Sequence, residues 1–212
     1  MAVTDARFYV VQYCPGEPGC PHFLSGEVNR EEWEWPMYTI DPFSVAVEHE
    51  YIYKLSDPDV SIDFDFYGSQ TNFVSKQFLS VCDVLGVRYR AVPLRIAKED
   101  GEESNSKSYF IFLPGEHVAL LDRDQSEFAE DRDMETGEVA ANNLFPGTPM
   151  YSWIKRFVVR QDCAAHLFRC TETMELVCSA KFKADAERKA LKGIGFVPID
   201  GSYSYDPWGE AT

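Results

Sequence analysis

Residues 73–78 read Phe-Val-Ser-Lys-Gln-Phe, and residues 176–182 return to the same pattern as Leu-Val-Cys-Ser-Ala-Lys-Phe. In each copy an apolar run leads to a serine and then to a stretch of helix length, with a phenylalanine three places after the serine. A glycine follows, Gly86 or Gly193, and then a run rich in β-branched residues. We interpret each copy as a strand, a helix and a second strand, and this duplicated unit predicts the fold.

Local signals mark the ends of both predicted helices. Ser75 and Ser179 are placed to cap the helix N-termini, because a serine hydroxyl accepts a hydrogen bond from a backbone N–H that the first turn leaves unpaired. Gly86 and Gly193 suit the left-handed conformation that commonly ends a helix. One apolar stripe follows the helical period in the first copy: Phe78, Leu79, Cys82 and Leu85. We therefore expect the helices to pack on a sheet.

The predicted fold class is α+β, with a mixed or mostly antiparallel sheet and two helices from the duplicated strand-helix-strand unit. Residues 60–66 alternate apolar and polar side chains, which predicts a strand with one acidic face open to solvent or a partner. The charged loop at residues 98–108 is the best position for a hinge. We expect an N-terminal half, residues 1–98, and a C-terminal half, residues 99–212, either as two domains or as a single compact domain.

Two further segments have the composition of strands. Residues 8–13 form a short apolar run near the start of the chain. Residues 109–113 are apolar on both faces, as is typical of a central strand.

Acidic residues dominate the charge of the chain, with 35 acids against 20 bases and a formal net charge of -15. Such a field repels nucleic acid and anionic lipid, so neither is an expected partner. It would steer a basic protein partner and raise the association rate. The alternative is that the charge only maintains solubility. The densest stretch, residues 116–138, holds nine acids against two bases.

The candidate partner-binding residues come from two places. The first is the acidic stretch, which supplies Asp122, Asp124, Glu127, Glu130, Asp131 and Asp133. The second is the pair Trp33 and Trp35, which glutamates flank in the sequence. Exposed aromatic side chains ringed by charge suit interface anchors, although core or rim aromatics are the simpler interpretation of tryptophan.

No motif in the chain is typical of a metal or cofactor site. Cys14, Cys20 and His22 stand close together but lack the paired short spacings of zinc ligands. We expect no metal and no cofactor. A nucleophile assembled from Cys178 and His166 stays an alternative, since catalytic groups meet in space rather than in sequence. Neither residue lies in a recognisable nucleophile motif.

The six cysteines of the chain are expected to be free thiols in the cytoplasm. The sequence has neither a charged-then-apolar leader at its start nor an apolar run near 18 residues. A reducing compartment argues against disulfides, and the absence of an apolar span argues against a membrane location.

The chain resembles the bacterial immunity proteins of polymorphic toxin systems in short segments along nearly its whole length. These segments are residues 20–26, residues 62–66, Val74-Ser75-x-x-Phe78, Leu121-Asp122-x-x-x-Ser126-Glu127-Phe128, residues 166–169, Ser179-x-x-Phe182 and residues 193–198. The closest resemblance is to immunity family forty-three, with family eleven as a relative.

The resemblance implies a small cytoplasmic α+β protein that binds a cognate toxin domain stoichiometrically and blocks it. Many toxins of this kind are nucleases with basic clefts, which an acidic protein can block. The family has no fixed toxin-binding motif to map here, so the contact set rests on charge and aromatic pattern alone. Two alternatives stay open: a cytoplasmic enzyme, either a hydrolase or a modifier that reverses the toxin's chemistry, and a scaffold module. The sequence sets no oligomeric state.

Overall fold

The structure of the chain is a computed structural model that describes residues 6–57, 59–69, 71–98 and 107–209. Within these residues it contains thirteen strands and two helices. The fold is α+β, as predicted. Most of the predicted hinge, residues 99–106, lies outside the described residues.

Most elements are short strands, and the two helices have nine residues each. In chain order they are β1 (Phe8–Tyr13), β2 (Gly26–Val28), β3 (Tyr51–Leu55), β4 (Phe66–Tyr67), β5 (Asn72–Ser75), α1 (Lys76–Val84), β6 (Tyr89–Ala97), β7 (Tyr109–Pro114), β8 (His117–Val118), β9 (Glu127–Glu130), β10 (Tyr151–Arg156), β11 (Leu167–Cys170), β12 (Leu176–Ser179), α2 (Ala180–Arg188) and β13 (Ile194–Pro198).

The strands form two large sheets and one small one. The six-stranded sheet has the order β2-β3-β6-β7-β5-β4, and the five-stranded sheet has the order β13-β1-β12-β11-β8. Strands β9 and β10 form a separate pair. Only the β3–β6 and β8–β11 pairs are parallel, so the sheets are mixed and mostly antiparallel, as predicted.

The duplicated unit is present as β5-α1-β6 and as β12-α2-β13. In both copies a strand from outside the unit lies between the two strands that the helix connects. Strand β7 separates β5 from β6, and β1 separates β12 from β13. Each flanking strand is antiparallel to the inserted one, so the two flanking strands run parallel to each other, as strands joined by a helical crossover do. A hairpin partner, β4 or β11, extends each copy on the same side.

Both helices begin at the serines that the sequence predicted as caps. The Ser75 hydroxyl accepts hydrogen bonds from the backbone N–H of Gln77 at 3.1 Å and of Phe78 at 3.2 Å. The Ser179 hydroxyl accepts one from the N–H of Phe182 at 3.2 Å. Each hydroxyl thus satisfies a donor that the first helical turn leaves without a partner.

The two helices end differently. After α1, Gly86 has a φ of +65°, as predicted. After α2, the left-handed residue is Ala190, with a φ of +49°, so the prediction that Gly193 stops this helix is wrong. Gly193 also has a positive φ, of +73°, but it serves the approach to strand β13. A Cβ at Gly193 would lie 2.8 Å from the carbonyl oxygen of Phe66, so this contact requires glycine.

The buried side chains form three clusters. One is shared between the two large sheets, one lies on the outer face of the six-stranded sheet, and one lies on the outer face of the five-stranded sheet. The shared cluster contains both helices and one face of each sheet, with Val11, Val74, Phe78, Phe112 and Phe182 among its members. It therefore takes side chains from both the N-terminal and the C-terminal half. The division into residues 1–98 and 99–212 stays a prediction.

The acidic face predicted for residues 60–66 is not exposed at Asp65. Ile62, Phe64 and Phe66 are buried as expected, but Asp65 is also buried, at 1 % exposure, and the strand includes only Phe66 and Tyr67. The prediction of a long strand with an open acidic face is therefore wrong.

The Asp65 carboxylate instead joins the two copies of the duplicated unit. It accepts hydrogen bonds from the Ser75 hydroxyl at 2.5 Å, from Lys107 Nζ at 3.0 Å and from the backbone N–H of Lys192 at 2.9 Å. The Lys192 ammonium pairs with Asp63, whose pKa is lowered chiefly by that hydrogen bond. A carboxylate can be buried here because hydrogen bonds and a cation compensate its lost hydration.

Candidate partner-binding surface

The acidic segment, residues 121–138, carries eight carboxylates and two arginines. It starts from a fixed point in the core. The backbone N–H groups of Leu120 and Leu121, both buried, donate to the two carboxylate oxygens of Glu172 at 3.1 and 3.0 Å. Glu172 is itself buried in the turn between β11 and β12 and also accepts a hydrogen bond from Cys170 Sγ at 3.1 Å. The root of the segment is thereby held to the five-stranded sheet.

A second set of hydrogen bonds closes the first turn of the segment. The N–H of Asp122 donates to the carbonyl of Val158 at 2.8 Å, and the N–H of Val158 donates to the Ser126 hydroxyl at 3.0 Å. The Asp122 carboxylate accepts from the backbone N–H of Asp124 and from the side-chain amide of Gln125 at 2.6 Å. Asp122 therefore acts mainly as a turn residue.

Glu130 is neutralised inside the segment. Its carboxylate receives a hydrogen bond from Arg123 Nη2 at 2.5 Å, and this contact is the main reason that the pKa of Arg123 is raised. The Arg123 guanidinium also donates to the Tyr151 hydroxyl at 3.1 Å and lies 5.0 Å from the ring centroid of Phe128. Arg123 thus fastens the beginning of the segment to the β9–β10 pair.

Beyond β9 the chain forms a hairpin, residues 131–140. The N–H of Asp131 donates to the carbonyl of Met150 at 2.8 Å, and the N–H of Ala140 donates to the carbonyl of Asp131 at 2.8 Å. Closer to the tip, the N–H of Asp133 donates to the carbonyl of Glu138 at 2.9 Å. The hairpin therefore has a regular backbone, and its base is joined to the chain that leads into β10.

The tip of the hairpin is a tight turn organised by Asp133. Its carboxylate accepts hydrogen bonds from the N–H of Thr136 at 2.7 Å and of Glu135 at 2.9 Å, and these bonds lower the pKa of Asp133. Gly137 closes the turn in the left-handed conformation, with a φ of +71°. Met134 projects from this tip and is fully exposed.

The structure separates the predicted acidic residues into braced and open carboxylates. Asp122, Glu130, Asp131 and Asp133 accept hydrogen bonds from within the segment. Four other carboxylates have no hydrogen bond or ion pair among the residues that the structure describes: Asp124, Glu127, Glu135 and Glu138. We call these four the open carboxylates. Sequence reasoning did not select Glu135 and Glu138, because only the hairpin shows that they flank the tip.

The two tryptophans lie elsewhere. Trp35 is buried, at 6 % exposure, and stacks on Trp33 with ring centroids 5.4 Å apart. Both rings pack on Tyr51. The expectation that Trp35 is exposed is therefore wrong, whereas Trp33 keeps part of its surface accessible. These rings belong to the buried cluster on the outer face of the six-stranded sheet. The acidic segment packs on the buried cluster on the outer face of the five-stranded sheet.

The glutamate between the tryptophans points toward the protein. Glu34 Oε1 lies 2.6 Å from His49 Nδ1, and Glu34 Oε2 accepts a hydrogen bond from the Tyr51 hydroxyl at 2.9 Å. Burial alone would raise the pKa of Glu34, but these hydrogen bonds and one from the N–H of Glu48 outweigh it and lower the pKa to about 2. Glu34 supports the aromatic cluster.

Cys178 and His166 are not arranged as a nucleophile and its base. Cys178 is fully buried, and burial raises the pKa of its thiol far above neutrality. The His166 ring nitrogen Nδ1 lies 2.8 Å from the hydroxyl of Ser179, the helix cap. A thiol in this state has no reactive thiolate at neutral pH.

Across residues 6–57, 59–69, 71–98 and 107–209, no three side chains of His, Cys, Asp or Glu cluster as metal ligands would. In those ranges neither helix has the length and apolar character needed to cross a bilayer. The six cysteines, Cys14 and Cys20 among them, are present as free thiols.

The structure thus combines a hydrogen-bonded acidic segment that presents open carboxylates with a candidate nucleophile that is buried. The sequence model of the immunity protein family (Imm11) matches residues 63–201, about two thirds of the 212 residues, and the chain belongs to this family. It is thus an immunity protein of the polymorphic-toxin type, a protein that neutralises a toxin. No curated protein matches the chain.

The matched region includes both copies of the duplicated unit and the whole acidic segment, but neither Trp33 nor Trp35. The family that matches is family eleven, which the resemblance gave as a relative. The closer resemblance to family forty-three stays a prediction.

Proposed function

We propose that this immunity protein neutralises its toxin by stoichiometric binding, and that the acidic segment contacts a basic surface of the cognate toxin domain. The observation that supports the proposal is the set of open carboxylates, held on the hydrogen-bonded backbone of the acidic segment: Asp124 in its first turn, Glu127 on β9, and Glu135 and Glu138 on the hairpin. The toxin that fits this surface best is a nuclease, because a nuclease cleft must attract phosphate and is therefore basic.

The bracing of the segment favours binding energetically. A loop that must become ordered on binding loses conformational entropy, and that loss subtracts from the affinity. Glu172 holds the root of this segment, Arg123 ties it to the β9–β10 pair and Asp133 organises its tip. The carboxylates therefore have fixed positions before the partner arrives.

The field of the segment favours fast association. Residues 121–138 have a formal net charge of -6, from eight acids and two arginines, within a chain that is acidic overall. Complementary charge accelerates the encounter of two proteins, and salt reduces that acceleration. The braced residues Asp122, Glu130, Asp131 and Asp133 contribute to the field and to the shape of the segment.

Trp33 and Trp35 have unequal parts in this proposal. Trp33 retains accessible surface and is proposed as a secondary contact. Trp35 is buried beneath it and supports its position. The open carboxylates are the primary contact set.

The experiment compares two charge reversals of equal size. The test variant is Asp124→Lys with Glu127→Lys, and the control is Glu48→Lys with Glu50→Lys, at exposed positions outside the acidic segment. Association and dissociation rates are measured at several salt concentrations against the toxin domain encoded beside the gene. We expect the test variant to weaken binding by about tenfold or more, mainly through slower association, and to flatten its salt dependence.

The control should change the rates much less. If both variants weaken binding equally, the effect is one of overall charge and the proposed surface is wrong. If toxin binding and its salt dependence are unchanged in the test variant, the acidic segment is not the contact.

A further inference from the structure

Arg169 is a buried cation on β11, next to the edge strand β8 of the five-stranded sheet. It lies on β11, beside His117 of β8 and Leu176 of β12, and its exposure is 4 %. Its guanidinium donates one hydrogen bond, from Nη1 to the carbonyl of Met174 at 2.8 Å, and lies 5.5 Å from the ring centroid of Tyr38. Within the described ranges it forms no ion pair with any carboxylate.

This arrangement is unusual for an arginine. A buried guanidinium is normally paired with a carboxylate, because the loss of hydration is otherwise uncompensated. The chain has an excess of acidic residues, yet none of the described ones pairs with Arg169. Most of the five N–H donors of the guanidinium therefore remain able to bind an anion.

Arg169 lines a cleft of about 590 Å³ between the two large sheets. Strand β1, the hairpin between β11 and β12, and the residues that follow β4 form its walls. Its lining includes the apolar or aromatic side chains of Tyr38, Tyr67, Met174 and Leu176. The cleft is thus large enough for a small organic group, and its walls suit an apolar one.

Charges around the cleft select the kind of anion. Glu175 lines the same cleft, and its carboxylate accepts a hydrogen bond from the Tyr203 hydroxyl. The Glu175 carboxylate repels anions, and this repulsion grows with their charge, so a singly charged anion is favoured over a multiply charged one such as phosphate. His117 lines a small cavity on another side of Arg169. Burial, and to a lesser degree the charge of the nearby guanidinium, lowers the pKa of His117 to about 4. It is neutral at pH 7 and adds no charge.

We propose that this cleft binds a single carboxylate carried on an apolar group, with the Arg169 guanidinium as its anchor. The fork of N–H donors matches the two oxygens of a carboxylate, and the aromatic and aliphatic side chains of the lining can contact the hydrocarbon part. The site is separate from the acidic segment and does not depend on the proposed toxin contact.

The test uses the isolated chain with N-acetyl-leucine as the probe and N-acetyl-leucine amide as its uncharged match, at constant ionic strength. Binding is followed by the NMR signal of the Arg169 Nε–H group and by the unfolding temperature, which a ligand of the native state raises. We expect the acid to shift the Nε–H signal saturably and to raise Tm, and the amide to do neither. Inorganic phosphate should bind more weakly than the acid.

Two variants assign the effect to Arg169. Arg169→Met should abolish the response to the acid. Arg88→Met removes the same charge from an exposed arginine stacked on Phe43 and should keep the response. If Arg169→Met does not fold, Arg169→Lys replaces it, and we expect a several-fold weaker response because the fork is lost.

Four results would overturn the proposal. They are no response to the acid, an equal response to the acid and the amide, an unchanged response in the Arg169 variant that folds, and loss of the response in Arg88→Met.

Discussion

Phe78 of α1 and Phe182 of α2 meet edge to face, with ring centroids 5.6 Å apart and ring planes inclined by 63°. The two residues are equivalent positions of the duplicated unit, each three places after its capping serine. The unit therefore packs against its own copy, and both rings are fully buried at the point of contact.

The contact predicts a coupled loss of stability. Phe78→Ala and Phe182→Ala should each lower the free energy of unfolding by about 3–5 kcal/mol, because each leaves a cavity in the shared core. The double variant should lose less than the sum, by about 0.5–1.5 kcal/mol, since the edge-to-face contact is removed only once. Urea unfolding measures all three, with Val84→Ala at an exposed position of α1 as the control. Strict additivity would contradict the contact.

Glu172 should hold the root of the acidic segment. In Glu172→Gln an amide N–H₂ replaces one carboxylate oxygen, so the N–H of Leu120 or of Leu121 loses its acceptor. We expect a loss of about 1–3 kcal/mol in unfolding free energy and faster hydrogen exchange at both amides. Glu135→Gln is the matched control at an exposed position of the hairpin tip and should change stability by less than about 0.5 kcal/mol. Equal effects of the two variants would show that Glu172 has no special role.

Glu34 should contribute to the loss of stability of the fold in acid. Its pKa in the folded protein is about 2, below the ordinary value of 4.5, so the folded state binds its proton less readily than the unfolded state. The stabilisation is therefore complete above about pH 4.5 and is lost as the pH falls toward 2. Glu34→Gln removes this dependence, so the variant should lose less stability than the wild type between pH 6 and pH 3.

Urea unfolding as a function of pH measures the effect, and Glu31→Gln, at an exposed position of the same loop, is the control. If the free energy of unfolding depends on pH in the same way in Glu34→Gln and in the wild type, the assignment is contradicted.

Alanine substitutions at Gly193 and Gly86 separate the stability cost of a left-handed backbone from the cost of a steric contact. Both have a φ between +65° and +73°. At Gly86 an added Cβ meets nothing within 4 Å, whereas at Gly193 it meets the Phe66 carbonyl oxygen at 2.8 Å. Gly86→Ala should cost about 1–2 kcal/mol from the left-handed conformation alone. Gly193→Ala should cost clearly more, since the backbone of residue 66 must move. Thermal unfolding of the two variants measures the difference, and equal costs would contradict the contact.

The local features of the fold could be predicted because their causes lie within a few residues. The serine caps, Gly86, and the burial of Phe78, Leu79 and Cys82 follow from helix-end chemistry and helical period. Strand β7 was expected to be central because it is apolar on both faces, and it lies between β6 and β5. Residues 8–13 were expected to be a strand, and they form β1.

The long-range features could not be predicted because their causes lie far apart in the chain. Nothing in residues 8–13 indicates that they insert between β12 and β13. Asp65 looked like part of a solvated face, but it is buried and accepts hydrogen bonds from Lys107 and from the backbone N–H of Lys192. Trp35 looked exposed among glutamates, but Tyr51 and Trp33 cover it.

The candidate site was predicted in part. Its location in the acidic stretch stays a prediction that only toxin binding can test. Which carboxylates are open could not be read from the sequence, because Asp122 and Asp133 differ from Asp124 in the hydrogen-bond donors that the turns bring to them.

Strand β1 has a consequence for synthesis on the ribosome. Its neighbours, β12 and β13, are translated more than 160 residues later, whereas strands β4 to β7 emerge together. The N-terminal copy of the duplicated unit can assemble as it leaves the exit tunnel, but β1 has no neighbouring strand in its sheet until the C-terminal copy has been synthesised. Strand β1 is therefore exposed for most of the synthesis of the chain that follows it, and chaperones have long access to its apolar side chains.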